Sequence, residues 1–174
     1  MLNLRGDQIY LRALEPSDID FLYTLENTTS LWEISGTTTP YSKHVLQLYL
    51  ENAHRDIFEV KQLRLCICNK TDMVLGLIDL FDFDPKNRRA GMGIVILSAD
   101  EHNKGIGYEA ITILSDYAFT TLGLKQLYAN VIEDNLASLH LFEKLGFIKV
   151  GTKKDWIFTN GSFKNEILLQ KIAS

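Results

Sequence analysis

Residues 89–121, RAGMGIVILSADEHNKGIGYEAITILSDYAFTT, constrain the fold more than any other stretch. Ala90 to Leu97 is apolar and rich in β-branched residues, the pattern of a strand buried on both faces. Ser98 to Lys104 is short and polar. From Gly105 onward, Ile106, Ala110, Ile113, Leu114, Tyr117, Ala118 and Thr121 recur at helical steps, one apolar stripe facing a core. A strand that turns through Asn103-Lys104-Gly105-Ile106-Gly107 into a helix presents N–H groups without internal partners, at the positive end of the helix dipole. Gly105 and Gly107 carry no Cβ, so an anion can approach this backbone closely. Two readings stand at this point: a pyrophosphate cradle, or a plain turn.

Two nucleotide motifs are excluded. A P-loop needs lysine and then Ser or Thr after its last glycine, whereas Lys104 precedes Gly105. A dinucleotide fingerprint needs a third glycine at position 110, which is alanine. A net charge of −4 argues against nucleic acid as the main ligand and is compatible with a cationic substrate. At 174 residues, 46% hydrophobic and 23% charged, the chain is expected to form one domain over residues 1–174. No apolar run approaches the ~18 residues of a membrane span, and the first residues lack a signal-peptide pattern, so a cytoplasmic location is expected. Cys66 and Cys68 fall two apart on a strand, hence on one face. That arrangement suits neither a disulfide nor a metal clip, and buried structural thiols are expected.

Gln8 to Leu14 alternates as a strand should. Glu15-Pro16-Ser17-Asp18 reads as a helix start, with the helix running to about Glu26. Asn27 to Pro40 reads as a loop, its Trp32 either a lid on the core or a wall of a substrate pocket. A helix is expected from Ser42 to about Arg55, with His44 and His54 on its polar side and too far apart for one metal site. Lys61–Asn69, Met73–Phe83 and Ala90–Leu97 form an antiparallel meander. Asp79 and Asp82 interrupt the middle strand and either line a pocket or mark an exposed end. Gly123 caps the long helix, Lys125–Ile132 is a strand, and Leu136–Leu145 is a helix started by Asp134-Asn135. Asn160-Gly161, between two strand-like runs, marks a type I′ hairpin. Helices alternating with strands make an α/β domain with a mixed sheet.

Taken together, this order and two motifs resemble the GNAT acetyltransferase superfamily. Its pyrophosphate signature, Gln/Arg-x-x-Gly-x-Gly/Ala, is similar to His102-Asn103-Lys104-Gly105-Ile106-Gly107. A second family pattern, Asn-x-x-Ser/Ala followed by Tyr-x-Lys-x-Gly-Phe, is similar to Asn135-Leu136-Ala137-Ser138 and Phe142-Glu143-Lys144-Leu145-Gly146-Phe147. Within the superfamily the chain most resembles the spermidine N-acetyltransferase and ribosomal-protein alanine acetyltransferase group, through Tyr10-Leu11-Arg12-Ala13-Leu14-Glu15, Pro40-Tyr41, Asn87-Arg88-Arg89-Ala90 and the stretch from Phe158 to Asn165.

The resemblance implies a mixed, mostly antiparallel sheet of about seven strands flanked by about four helices. It implies acetyl-CoA as cosubstrate, in a cleft where the strand Gly91–Leu97 splays from Lys125–Ile132. Backbone groups of Ile94, Val95, Ile96 and Leu97 would hold the pantetheine and polarise the thioester. His102, Asn103, Lys104, Gly105, Ile106, Gly107 and Tyr108 would hold the pyrophosphate. Asn135, Ser138, Phe142 and Lys144 would complete the cofactor site. An acceptor amine, on a small molecule, a polyamine or a protein N-terminus, would attack the thioester directly. Glu33, Asp79 and Asp82 are the candidate amine-binding or proton-accepting groups, acting through water. No metal, nucleic acid or membrane is called for, and a homo-oligomer is left open.

Four departures from the family pattern stand out. His102 replaces Gln or Arg. Phe142 replaces the tyrosine that commonly protonates the leaving thiolate, and a phenyl ring donates no proton. Gly91 replaces an acid, and Thr38 and Thr39 replace glutamates, of the polyamine enzymes. Those last losses remove anions that would bind a polycation. Two other functional classes therefore stay in play: an acyl-CoA-binding module with weakened catalysis, and an interaction domain whose Gly-Ile-Gly is only a turn.

Overall fold

The computed structural model describes residues 4–98 and 104–174. Its centre is a seven-stranded sheet in the order β1-β2-β3-β4-β5-β7-β6. The strands are β1 Ile9–Ala13, β2 Leu63–Asn69, β3 Val74–Asp84, β4 Arg89–Ile96, β5 Gln126–Ile132, β6 Ile148–Thr159 and β7 Ser162–Ile172. Among the described residues there are six α-helices: α1 Ile19–Glu26, α2 Trp32–Ser35, α3 Lys43–Glu51, α4 Ile57–Val60, α5 Ile106–Thr120 and α6 Leu136–Lys144. The expected meander is present as antiparallel β2, β3 and β4. The β4–β5 pair is parallel, and its ladder spans only Arg89↔Gln126, Ala90↔Leu127 and Gly91↔Tyr128. Beyond Gly91 the two strands part. The sheet is therefore mixed and mostly antiparallel, as expected.

One face of the sheet packs on α5 and α6. Ile106, Ala110, Ile111 and Leu114 of α5 meet Ile67, Ile78, Leu80, Met92 and Leu127. The other face packs under α1 and α3, where Leu22, Leu25, Leu46 and Leu50 cover Cys66, Cys68 and Leu77. The two cysteines thus share a face and are buried, unbridged thiols. Burial pushes the Cys66 thiol up to about 12, with the nearby Asp18 carboxylate adding to the shift.

Several boundaries differ from the sequence expectation for local reasons. Residues 27–40 are not a plain loop: a 3-10 turn, Thr29–Leu31, leads into α2, which stops at Gly36 with φ +73°. The helix expected to reach Arg55 ends at Glu51. A separate turn of helix follows, α4, whose start is capped by the Asp56 carboxylate accepting from the Phe58 and Glu59 amides. Helix α5 ends at Thr120 with Thr121 as its cap, and Gly123, expected as the cap, follows at φ +66°. Strand β4 is buried on both faces only from Ala90 to Met92, and residues 93–96 are half-buried. The reason is the parting of β4 from β5. The hairpin at Asn160-Gly161 has φ of +50° and +79°, the two positive values that a type I′ turn requires.

The start of α1 is fixed by a buried ion pair. Asp18 is 4% exposed. Arg12 Nη1 and Nη2 donate to its two carboxylate oxygens at 2.9 Å, and the Glu15 amide donates to Oδ2 at 2.7 Å. Burial pulls the Asp18 carboxyl upward, but the Arg12 bonds and the Glu15 amide outweigh it and hold it below its usual value. A depressed carboxyl contributes stability that is complete above its unfolded pKa, near 3.9, and is lost as the pH falls toward the folded value. Asp18→Ala is expected to cost about 3 kcal/mol in urea unfolding at pH 7, because Arg12 is left without its anion. Asp18→Asn is expected to remove part of the stability lost on acidification below about pH 4. An Asn variant with the wild-type acid profile would contradict this account.

Candidate active site

Where β4 leaves β5 the structure opens a cleft of about 1060 Å³. Ile94, Val95 and Ile96 form its floor, the first turn of α5 closes one end, and the first turns of α6 form a side. Its long apolar wall, from Ile94, Ile96, Ile113 and Leu141, meets a polar end at Gly105 to Glu109. A ligand with a long, weakly polar arm and an anionic terminus fits that gradient.

The start of α5 differs from those of α3, α4 and α6. Ser42 caps α3, Asp56 caps α4, and Asn135 Oδ1 accepts from the Ser138 amide at the start of α6. Helix α5 begins on Gly105 with no capping side chain. Its 15 residues supply a full dipole, so the leading N–H groups are an anion site. The two glycines serve different ends. Gly105 has φ +79°, a conformation that side chains rarely adopt. A Cβ on Gly107 would lie 2.9 Å from Leu141 Cδ2, so this glycine lets α5 and α6 approach. Glu109 in the same turn is turned away by bonding: its Oε1 accepts from the Gln8 and Ile9 amides at 2.9 and 3.2 Å, tying α5 to β1. A Cβ on Gly6 would clash with that carboxylate, at 1.7 Å from Oε1.

Of the cofactor residues expected from the sequence, the cleft brings together Ile94, Val95, Ile96, Gly105, Ile106, Gly107, Tyr108, Asn135, Ser138 and Lys144. Lys144 also holds its ammonium 6.0 Å from the Tyr108 ring centre. Lys104 is exposed beside this group. His102 and Asn103 lie outside the described residues. The side chains of two further expected residues lie away from the cleft. Phe142 is 3% exposed and packs edge-on against Phe147, 5.0 Å between ring centres, because the apolar stripe of α6 faces the core. Leu97 packs into the core under α1 and α3, since strand alternation sends it with Val95 to that face. Gly6, Asp7, Gln8, Leu31, Ile34 and His140 also line the cleft and carry no sequence signal of doing so.

A second pocket, of about 350 Å³, adjoins the first through Val95 and Leu31, which line both. Its polar lining is Glu26, Ser35, Thr37, Tyr41, Tyr49, Gln62 and Arg64. Arg64 Nη1 donates to Glu26 Oε1 at 3.3 Å. Asp79 stands opposite Arg64 in the β2–β3 register and accepts from Gln62 Nε2 at 3.2 Å. Burial pushes the Asp79 carboxyl up, against the opposing Arg64 charge. The three candidate acids thus separate. Asp79 contacts the pocket lining. Glu33 is engaged elsewhere, in an ion pair with Lys164 at 2.6 Å that Lys164 shares with Asp134. Asp82 is exposed on a bulge at φ +48°. Trp32 donates Nε1–H to the Glu26 carbonyl at 2.8 Å and so fastens α2 to the end of α1, a lid role. Sequence reasoning missed Glu26 and Arg64. A lone arginine in the apolar run of β2 was the available signal, but only the register places it beside Asp79.

A family model described as an acetyltransferase (GNAT) domain matches residues 8–148. Spermidine N(1)-acetyltransferase of Escherichia coli (strain K12) is 32% identical over 161 residues, 91% of this chain and 83% of that protein. A crystal structure of spermidine N-acetyltransferase from Vibrio cholerae in complex with CoA and spermine superposes with a TM-score of 0.86 at 26% identity, covering 96% of both chains. A dodecameric structure of the Vibrio cholerae enzyme gives a TM-score of 0.80 at 29% identity, covering 96% of this chain and 95% of that one. Among the described residues, no group of His, Cys, Asp and Glu side chains is placed to hold a metal ion, and no helix is long and apolar enough to cross a membrane.

Gly105→Glu is expected to weaken acetyl-CoA binding by ~100-fold or more. The new carboxylate repels the pyrophosphate, and a side chain at this φ adds ~1–2 kcal/mol of local strain. Titration calorimetry checks it, with circular dichroism as the control for folding. Unchanged affinity would remove the cradle from the start of α5.

Proposed function

The chain belongs to the GNAT acetyltransferase family and is an acetyl-CoA-dependent N-acetyltransferase, and from that premise we propose that residues 1–174 act as one domain in which an amine, held in the smaller pocket, directly attacks the thioester of acetyl-CoA lying in the larger cleft. The observation that carries this reading is the meeting of the two cavities at Val95. Acetyl-CoA would thread its pantetheine along Ile94 to Ile96, with its pyrophosphate at the start of α5. Asn135, Ser138 and Lys144 line the same cleft and would hold the rest of the cofactor. The amine nitrogen bonds to the carbonyl carbon, the C–S bond breaks, and the thiolate takes up a proton. Positioning supplies much of the rate.

Asp79 is the carboxylate best suited to accept the amine proton. Its pKa is raised by burial, and its partners Gln62 and Arg64 line the acceptor pocket, so a relay through water reaches the amine. Asp79→Asn is expected to lower kcat/KM by ~100-fold, without changing acetyl-CoA affinity. Loss of the acidic limb of the pH–rate profile in this variant would mark the base. An unchanged profile would exclude Asp79 from that role.

The placement of Phe142 favours a second reading, a catalytically weakened acyl-CoA-binding module, because this position offers no hydroxyl to the leaving thiolate. Thermal unfolding with acetyl-CoA at 100 times its dissociation constant should show ~2.7 kcal/mol of stabilisation under both readings. Thiol release on an amine panel separates them: amine-dependent release supports transfer, and stabilisation without release supports the module. The acetyl-CoA dependence fits a cytoplasmic setting.

The hairpin of β6 and β7 exposes Trp156, Phe158 and Phe163, each 59–65% accessible, on the last strands of the sheet. Together with the dodecameric neighbour, this supports a homo-oligomer assembled through the hairpin. Trp156→Lys with Phe163→Lys is expected to shift the protein to a smaller species in light scattering while it keeps its fold. An unchanged mass would place the interface elsewhere.

A further inference from the structure

The charge pattern of the smaller pocket narrows the class of acceptor. The two charged side chains that line it are Glu26 and Arg64, one of each sign. Both are largely buried, with side chains 15% and 27% exposed. They meet through a single contact of 3.3 Å, whereas Arg12 and Asp18 make two bonds of 2.9 Å. Arg64 Nε has no hydrogen-bond partner. Tyr49 and Asp79 also face this guanidinium, but its five donors form a fork built for a two-pronged anion, and Nε at least is unused. Much of the remaining wall is apolar, including Leu22, Leu25, Val45 and Leu46.

A linear polyamine fits this lining poorly. Its several ammonium groups would meet one lining carboxylate, with Asp79 set back behind Gln62, a guanidinium of the same sign, and leucine side chains that leave a buried charge uncompensated. The space for an acid at Gly91 is also taken. A Cβ there would lie 2.3 Å from the Phe81 ring, so a larger residue requires Phe81 to move. A zwitterion matches every part of the wall. Its ammonium faces Glu26, its carboxylate faces the Arg64 fork, and an apolar side chain covers the leucines. The volume of about 350 Å³ suits a molecule of that size.

We propose, resting on the acetyl-transfer reading above, that the acceptor is a small primary amine that bears its own carboxylate and an apolar side chain, of the α-amino acid type, held between Glu26 and Arg64. The reaction balances without a further reagent. The ammonium first gives one proton through water to Asp79 and so to solvent; the neutral nitrogen forms the amide bond, the thioester C–S bond breaks, and the second proton lost by nitrogen ends on the thiol of coenzyme A.

The test compares leucine, leucinamide and spermidine on the full chain. Thiol release measures turnover, and the melting shift with coenzyme A present measures acceptor binding independently of turnover. Leucine is expected to exceed leucinamide at least tenfold in kcat/KM, and to exceed spermidine. The leucinamide amine is the less basic, so any bias from protonation runs against this order. Arg64→Gln is expected to lower leucine turnover more than leucinamide turnover, so that the preference for leucine is lost, and to preserve the acetyl-CoA melting shift. Equal use of leucine and leucinamide, or a preference for spermidine, overturns the proposal while leaving acetyl transfer intact. Leucine binding without thiol release upholds the amino-acid site between Glu26 and Arg64 and overturns transfer, and with it the acceptor role. No melting shift and no turnover with any of the three overturns the proposed acceptor. Should Arg64→Gln fail to fold, the leucine and leucinamide comparison on the unaltered protein decides.

Discussion

The parallel ladder between β4 and β5 ends after Gly91↔Tyr128, and the rest of the structure depends on that early stop. Each strand continues against another neighbour, β4 against β3 as far as Ile96 and β5 against β7 as far as Ile132. Both remain anchored while they diverge. The gap exposes backbone between them in an otherwise packed core. Unpaired backbone polar groups are costly when buried without partners, so such a gap persists where a ligand completes it.

Two features around the gap make it directional. Helix α5 starts at one end with no capping side chain, and Glu109, the acid in its first turn, is engaged by the amides of β1. That leaves the end positive toward the cleft. Near the other side, α2 is held by the Trp32 bond to the end of α1 and by the Glu33–Lys164 pair. Leu31 and Ile34 are thereby set over the cleft, and Leu31 with Val95 marks its junction with the smaller pocket. Under the proposed reading, a cofactor bound by its anionic end would present its far end to the smaller pocket.

The departures from the family pattern acquire physical partners in the structure. Gly91 is matched by Phe81, whose ring fills the space beside it and packs edge-on to Tyr128 at 5.9 Å. Gly93 lies beneath the Asp79 carboxylate, which a Cβ would approach to 2.9 Å. Phe142 is matched by Phe147 across a dry contact. These contacts fill the space beside each of the three residues with packing.

The amino-acid sequence was enough to order the strands of the meander, find the hairpin at Asn160-Gly161 and mark the turn into α5. Each of those signals is local: alternation at period two, two residues that tolerate positive φ, and glycines before an apolar helical stripe. The resemblance then joined the Gly105 and Asn135 motifs into one cofactor site, and the cleft does bring them together. What the sequence left open was the choice among Glu33, Asp79 and Asp82, and the existence of the Glu26–Arg64 pair. Those depend on partners far along the chain: Lys164 for Glu33, and the β2–β3 register for Asp79 and Arg64. The sequence by itself determined the elements and the anion site, because their causes lie within a few residues. The smaller pocket was decided only by tertiary structure, because packing and register choose which distant charges meet.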